Sequence, residues 1–189
     1  MWADVDQYPA IYDPSIRSTG WPSLDEFPSV RAAAALLESR WEAVRDEMVQ
    51  HELLAGAEVQ YEAISSDARW TVIPAYHAGG QCRCAGRGCP AVCALLPQLQ
   101  QHVTVTGIMF SVVGAGAHLR PHCGPNNRRL KLHLGLQVPQ PTTMRIASEK
   151  RSWVEGKCNF LDDSFEHEAW NDASSCRINL IFDVQFGPC

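Results

Sequence analysis

The chain predicts a mainly β fold with flanking helices (α+β), built as a sandwich or jelly roll. Three observations carry this. Short runs with a two-residue hydrophobic alternation, broken by turns, fill the sequence from residue 103 onward. The only long helical periodicity lies ahead of them, at residues 28–53. The length of 189 residues, with 46% hydrophobic and 20% charged residues, suits one globular domain with a full core. The expected organisation is a single domain over 1–189. Residues 1–102 supply an N-terminal arm and covering helices, and residues 103–189 supply the β core.

Residues 1–25 are rich in Pro, Tyr and Trp without a clear period, and read as an extended arm packed on the domain. Pro28 can open a helix, where its missing N–H is no loss. Val30, Ala33, Leu37, Trp41, Val44 and Met48 then recur at three and four residues, an amphipathic stripe running to about Leu53 with Gly56 beyond. Residues 69–76 read as a strand edged or broken by Pro74. A Gly/Cys loop at 79–90 precedes a short helix at 91–101, made irregular by Pro97. Five strands follow, at 103–113, 129–138, 143–147, 158–162 and 177–186. In the second, Leu130, Leu132, Leu134 and Leu136 share one face, and Lys131, His133 and Gly135 the other. In the last, Ile178, Leu180, Phe182 and Val184 alternate with Arg177, Asn179 and Asp183. Strands with one polar face suit a barrel whose lumen holds a polar ligand.

A net charge of −5 argues against a nucleic-acid partner, which needs a basic footprint. No apolar run approaches the roughly 18–20 residues that span a bilayer, so no membrane span is expected in this chain. The opening MWADVDQYPA has neither the basic nor the apolar region of a secretory signal. Of eight cysteines, Cys82, Cys84, Cys89 and Cys93 crowd into QCRCAGRGCPAVC. Disulfides, free thiols and zinc ligation all remain open for these four. The C-x-C and C-x3-C spacings depart from the paired C-x2-C knuckles of structural zinc. The redox compartment follows from that choice and is left open as well.

The chemistry concentrates in PHCGPNNRRLKLHLGL (121–136) and FLDDSFEHEAWNDASSCR (160–177). Each contains a histidine suited to iron, His122 and His167, and Arg177 stands ten residues past the second. Two imidazoles suit Fe(II) and leave coordination positions open. An arginine can clamp a dicarboxylate through paired hydrogen bonds. This order is the one a 2-oxoglutarate-dependent oxygenase needs. The usual facial triad adds a carboxylate two residues after the first histidine, but here that position is Gly124. Water is then expected at the third site, with Asp163, four residues before His167, placed to hold it.

The words HxGPxN, R-L-x-x-H-L-G-L, W-x-x-G-K, D-D-S-F-E-H-E-x-W and R-x-x-L-I-x-D-V closely resemble the aspartyl/asparaginyl β-hydroxylase family. The resemblance runs from about residue 110 to the C-terminus, with a fainter match at P-S-L-D-E-F-P and W-E-A-V-R-D-E. It implies a double-stranded β-helix (jelly roll, cupin-like) that uses Fe(II), 2-oxoglutarate and O2 to hydroxylate the β-carbon of Asp or Asn in a peptide or protein. It implies catalytic roles for His122, His167 and Asp163, with the two histidines as metal ligands. Ser111, Lys131, His133 and Arg177 match positions that contact the cosubstrate, and Arg129 matches one facing the substrate side chain. The family generally has arginine where this chain has Lys131, which keeps the charge but loses the planar fork. The HxG arrangement is shared with the family, and relatives carry a disulfide ending at the position of Cys93. Many relatives are anchored in membranes, so the chain is expected to be a soluble domain, either cytoplasmic or a luminal catalytic piece of a longer protein. Trp70, Trp153 and Trp170 read as core or rim packing, and Gly156 as a turn. Residues 56–88, where the match is weakest, are expected to grip the substrate. Alternatives are an oxygenase of the same fold acting on a small molecule, as hydroxylase or halogenase, and a non-catalytic metal-binding module.

Overall fold

Two antiparallel sheets face each other, and helices cover the outer face of the larger one. The computed structural model describes residues 4–50, 58–59, 69–84 and 89–185. Its elements are α1 (Pro28–Glu38), α2 (Trp41–Gln50), β1 (Glu58–Val59), β2 (Trp70–His77), α3 (Pro90–Leu99), β3 (Val105–Val113), β4 (Ala117–His122), β5 (Arg129–Gln137), β6 (Thr142–Ile146), β7 (Glu149–Arg151), β8 (Cys158–Leu161), β9 (His167–Asn171) and β10 (Arg177–Gln185). The large sheet has the order β1-β2-β3-β10-β5-β8 and the small one β4-β9-β6-β7. This is the expected jelly roll. β2, from the N-terminal half, is a full member of the large sheet, paired with β3 along most of its length. Its register slips between Pro74 and Tyr76, where proline withholds a ladder N–H.

The alternation of β5 and β10 divides two cores. Leu130, Leu132, Leu134, Leu136, Leu180, Phe182 and Val184 pack outward against Val30, Ala33, Leu37, Val92 and Leu95 of α1 and α3. The opposite face turns toward the small sheet, where Leu119, Met144, Ile146, Trp153, Leu161 and Phe165 form a second cluster. The single helix expected at 28–53 is broken in two. Ser39 Oγ bonds back to Leu36 O at 2.7 Å, ending α1. Glu38 there accepts Cys158 N and Lys157 Nζ, both at 2.9 Å, so the helix end is tied to the edge strand β8. Trp41, opening α2, lies over Gly156, whose φ of +72° confirms the turn. The expected end at Leu53 lies outside the described residues, as does much of 56–88.

The Gly/Cys loop closes through two disulfides, Cys82–Cys93 and Cys84–Cys89, which fasten the segment after β2 to the start of α3. Glu47 caps α3 by accepting Ala91 N at 2.7 Å and Val92 N at 3.2 Å. Among the described residues no helix is long and apolar enough to cross a membrane.

The arm is the least regular part of the chain and makes specific contacts. Gln7 bridges Phe165 and donates Nε2–H to Ser164 Oγ at 2.8 Å. Glu166 N donates to Asp6 O at 2.6 Å, Asp162 N to Gly20 O at 3.1 Å, and Ile11 N to Pro125 O at 3.0 Å. Asn127, fully buried, accepts Asp13 N at 2.8 Å and donates to Asp13 O at 2.9 Å. The arm therefore bonds both to the loop after β4 and to the loop before β9.

Candidate active site

His122 ends β4 and His167 begins β9. The register of these strands sets the two residues opposite one another. Their rings lie 4.1 Å apart, centroid to centroid. Each Nδ1 is 2.6–2.9 Å from a carbonyl two residues upstream, Arg120 O for His122 and Phe165 O for His167. A carbonyl only accepts, so each Nδ1 carries the proton and each Nε2 keeps its lone pair. Burial lowers both pKa values. For His167 the neighbouring His122 adds to it, bringing the imidazole to about 4. Both rings are neutral at pH 7, the protonation state of a metal ligand.

Asp163 stands beside them. Gly124 N donates to Asp163 O at 2.6 Å, and a Cβ built on Gly124 would lie 2.5–2.6 Å from the Asp163 carboxylate. The space that a side chain at position 124 would enter is thus already filled by a carboxylate from the other loop. Two neutral imidazoles with a carboxylate alongside suit Fe(II) or a similar divalent ion. Lys131 Nζ lies 3.3 Å from Asp163 Oδ2 and bonds closely to Asp183 Oδ1. Burial opposes the charge of Lys131, but Asp163 and Asp183 outweigh it and hold the ammonium above the ordinary lysine range. Lys131 lines the cavity, then, but already serves two carboxylates.

The far wall is cationic. Arg177, at the start of β10, is 3% exposed, with its guanidinium 4.1 Å above the Trp153 ring. Its Nε has no partner, and among the described residues no carboxylate lies within ion-pair distance. Burial pulls its pKa to about 9, which leaves a cation at neutral pH. Ser111, buried beside it on the same cavity wall, accepts Trp70 Nε1–H at 3.0 Å, so its own proton can point inward. His133 is buried with Nδ1 unpaired, and burial, followed by the charge of Arg177, keeps it neutral. One cavity is lined by Ser111, His122, Lys131, His133, Asp163, His167 and Arg177.

Arg129 stands apart. Its guanidinium pairs with Asp183 at 2.9 Å, and it lines a separate shallow groove with Ile11, Asn126 and Arg128. Trp70 and Trp153, read from sequence as core or rim packing, also serve the site, and Asp183 was assigned no role there. Trp70 orients Ser111, Trp153 lies under Arg177, and Asp183 joins Lys131 to Arg129. The period of β10 was the available signal for Asp183, since it shares the inward face with Arg177.

Comparison with solved structures agrees on the fold. A prolyl-4-hydroxylase from Pseudomonas putida superposes with a TM-score of 0.55 at 15% identity, covering 80% of this chain and 88% of that one. The chain therefore shares the jelly-roll fold of that structure. Sequence narrows this further: the family model for aspartyl/asparaginyl β-hydroxylase matches residues 38–186, and the chain belongs to that family. Aspartyl/asparaginyl β-hydroxylase of Mus musculus is 38% identical over 156 residues, 78% of this chain and 21% of the relative. The ornithine lipid ester-linked acyl 2-hydroxylase of Rhizobium tropici is 34% identical over 160 residues, 79% of this chain and 56% of the relative. The chain thus spans about a fifth of the mammalian relative and a little over half of the bacterial one.

Proposed function

We propose that the chain is an Fe(II)- and 2-oxoglutarate-dependent oxygenase that hydroxylates the β-carbon of Asp or Asn in a peptide or protein. The observation that carries this reading is Arg177. A buried charge without a counter-ion costs several kcal/mol. An evolved cavity accepts that cost when a ligand supplies the anion. A carboxylate that pairs with Arg177 and accepts from Ser111 would lie in the same cavity as the two histidines, as a dicarboxylate keto acid chelating their metal requires.

His122 and His167 would hold the metal through Nε2, with Nδ1 of each fixed to backbone. Asp163 would act on it through water rather than as a ligand, and Lys131 holds Asp163 while balancing its charge. Trp153, Met144 and Leu161 keep bulk water from the cavity. Arg129, in its separate groove and linked to Lys131 through Asp183, would meet a substrate carboxylate by exchanging its bond to Asp183. When bound, Fe(II) with 2-oxoglutarate and O2 supplies the oxidant that inserts one oxygen atom into a C–H bond.

The test is mass spectrometry of linear and disulfide-cyclised Asp/Asn peptides incubated with the chain, Fe(II), ascorbate and 2-oxoglutarate. The expected result is a gain of one oxygen with matching succinate. A second reading has one observation in its favour. The cavity walls near the histidines are apolar (Leu119, Met144, Ala169, Ile181), which also suits an acyl chain. Oxygen incorporation into a hydroxylatable acyl lipid, with every peptide unchanged, would replace the first reading with the second. Incorporation of a halogen would exclude both.

A further inference from the structure

We propose that Cys82, Cys84, Cys89 and Cys93 form a second metal centre, a zinc tetrathiolate that assembles when the two disulfides are reduced. The spacing of these cysteines departs from zinc knuckles, but the fold brings their sulfurs together regardless. Cys82 is bonded to Cys93 and Cys84 to Cys89, and the two pairs touch, with Cys89 Sγ 3.5 Å from Cys93 Sγ. The sulfurs of Cys82, Cys89 and Cys93 all lie within 4.8 Å of one another. A tetrahedral zinc with Zn–S bonds of about 2.3 Å sets its sulfurs about 3.8 Å apart. Three of the four sulfurs already have that scale, and Cys84 is held to the group by its bond to Cys89. Both bonded pairs have Cα atoms 5.6 Å apart, so small side-chain rotations can open each pair around an ion.

The setting fits a structural site. Cys84 and Cys89 are buried in the outer core, while Cys82 and Cys93 are half-exposed and give reductant and metal a way in. Among the described residues no histidine or carboxylate belongs to the sulfur group, and four thiolates close the coordination shell, leaving no open position for catalysis. The chemistry balances. Two equivalents of a dithiol reductant reduce both disulfides to four thiols and become two cyclic disulfides. Zinc then displaces four thiol protons. The segment after β2 stays fastened to α3 in either state, by sulfur–sulfur bonds when oxidised and by metal when reduced.

The test uses the full chain carrying His122→Ala and His167→Ala, which removes metal binding at the active site. The chain is reduced with dithiothreitol, desalted anaerobically and titrated with Co2+ and then Zn2+. The expected result is one equivalent of Co2+ with sulfur-to-metal charge-transfer absorption, displaced by Zn2+. The oxidised chain should show none. Cys82→Ser and Cys89→Ser should each abolish the signal, and Cys158→Ser should leave it intact. Circular dichroism of the reduced chain should show helix signal retained with zinc. The proposal is overturned by a reduced chain without charge-transfer absorption, by a signal that survives Cys89→Ser, or by a reduced chain that loses helix and does not recover it with zinc.

Discussion

At the scale of single residues, the site is organised by charges that have partners and one that does not. Arg177→Ala should remove the anion clamp. Losing one partner of a buried charged pair costs about 2–5 kcal/mol. Calorimetric titration of 2-oxoglutarate should show that loss with the fold intact, and unchanged affinity would place the clamp elsewhere. Gly124→Ala drives a methyl into the Asp163 carboxylate. It should displace Asp163 from Lys131 and weaken iron binding, measured by competition with a chromogenic chelator. For the same reason Gly124→Asp cannot simply restore a third ligand. Asp162 is buried next to Asp163, and the neighbouring charge adds to the effect of burial. Burial raises its pKa to about 6, and one carboxylate oxygen has no partner. The folded chain then holds this proton more tightly than the unfolded one. Its ionisation therefore erodes stability as pH rises from about 4 to about 6. Asp162→Asn should raise the melting temperature above pH 6, by on the order of 1–3 kcal/mol of stability, and make no difference near pH 4. His167, with its depressed pKa, has the opposite slope, losing stability as pH falls from about 6.5 toward 4.

At the scale of elements, legibility tracked periodicity. β5 and β10 were readable because both faces are demanding: leucines and aromatics meet the helices, and charges meet the cavity. β9 was not, since HEAWN is short and mixes polar and apolar residues on both faces, and β4 and β7 carry as little pattern. The sequence therefore named His122 and His167 without showing that they sit at facing strand ends. The break between α1 and α2 was hidden because the stripe of Leu37, Trp41 and Val44 continues across it. Its cause is tertiary: Glu38 bonds to β8, and Trp41 covers Gly156. Gly135 shows a related constraint. A Cβ there would sit 2.5 Å from Val154 O, so the 154–157 turn can approach β5 only over a glycine. Gly135→Ala should cost about 1–3 kcal/mol in chemical denaturation, as overpacking does. A loss well below that would mean the turn moves aside freely.

At the scale of the whole molecule, two histidines lie 45 residues apart in sequence, and each sits at the edge of a loop. The sheets align the strand ends, but the loops are joined to each other by a third segment, residues 4–21. The family match begins at residue 38, so this arm lies outside the part of the chain that the family model describes. No period marked it, because its bonds are made one at a time, by Gln7, Asp13 and the backbone of Asp6, Ile11 and Gly20. Its position has a thermodynamic consequence. If the docked arm holds the loops in the geometry that binds metal, then metal must hold the arm by the same factor, since coupling between two binding events is reciprocal. Arg17 is exposed within the arm and gives trypsin a site there. Adding Fe(II) or Mn(II) should slow cleavage after Arg17, and Asn127→Ala should speed it while weakening metal affinity in proportion. Equal cleavage rates with and without metal would mean that the arm and the ion do not sense each other. A tail with no chemistry of its own would then report, from outside the cavity, how well the centre is loaded.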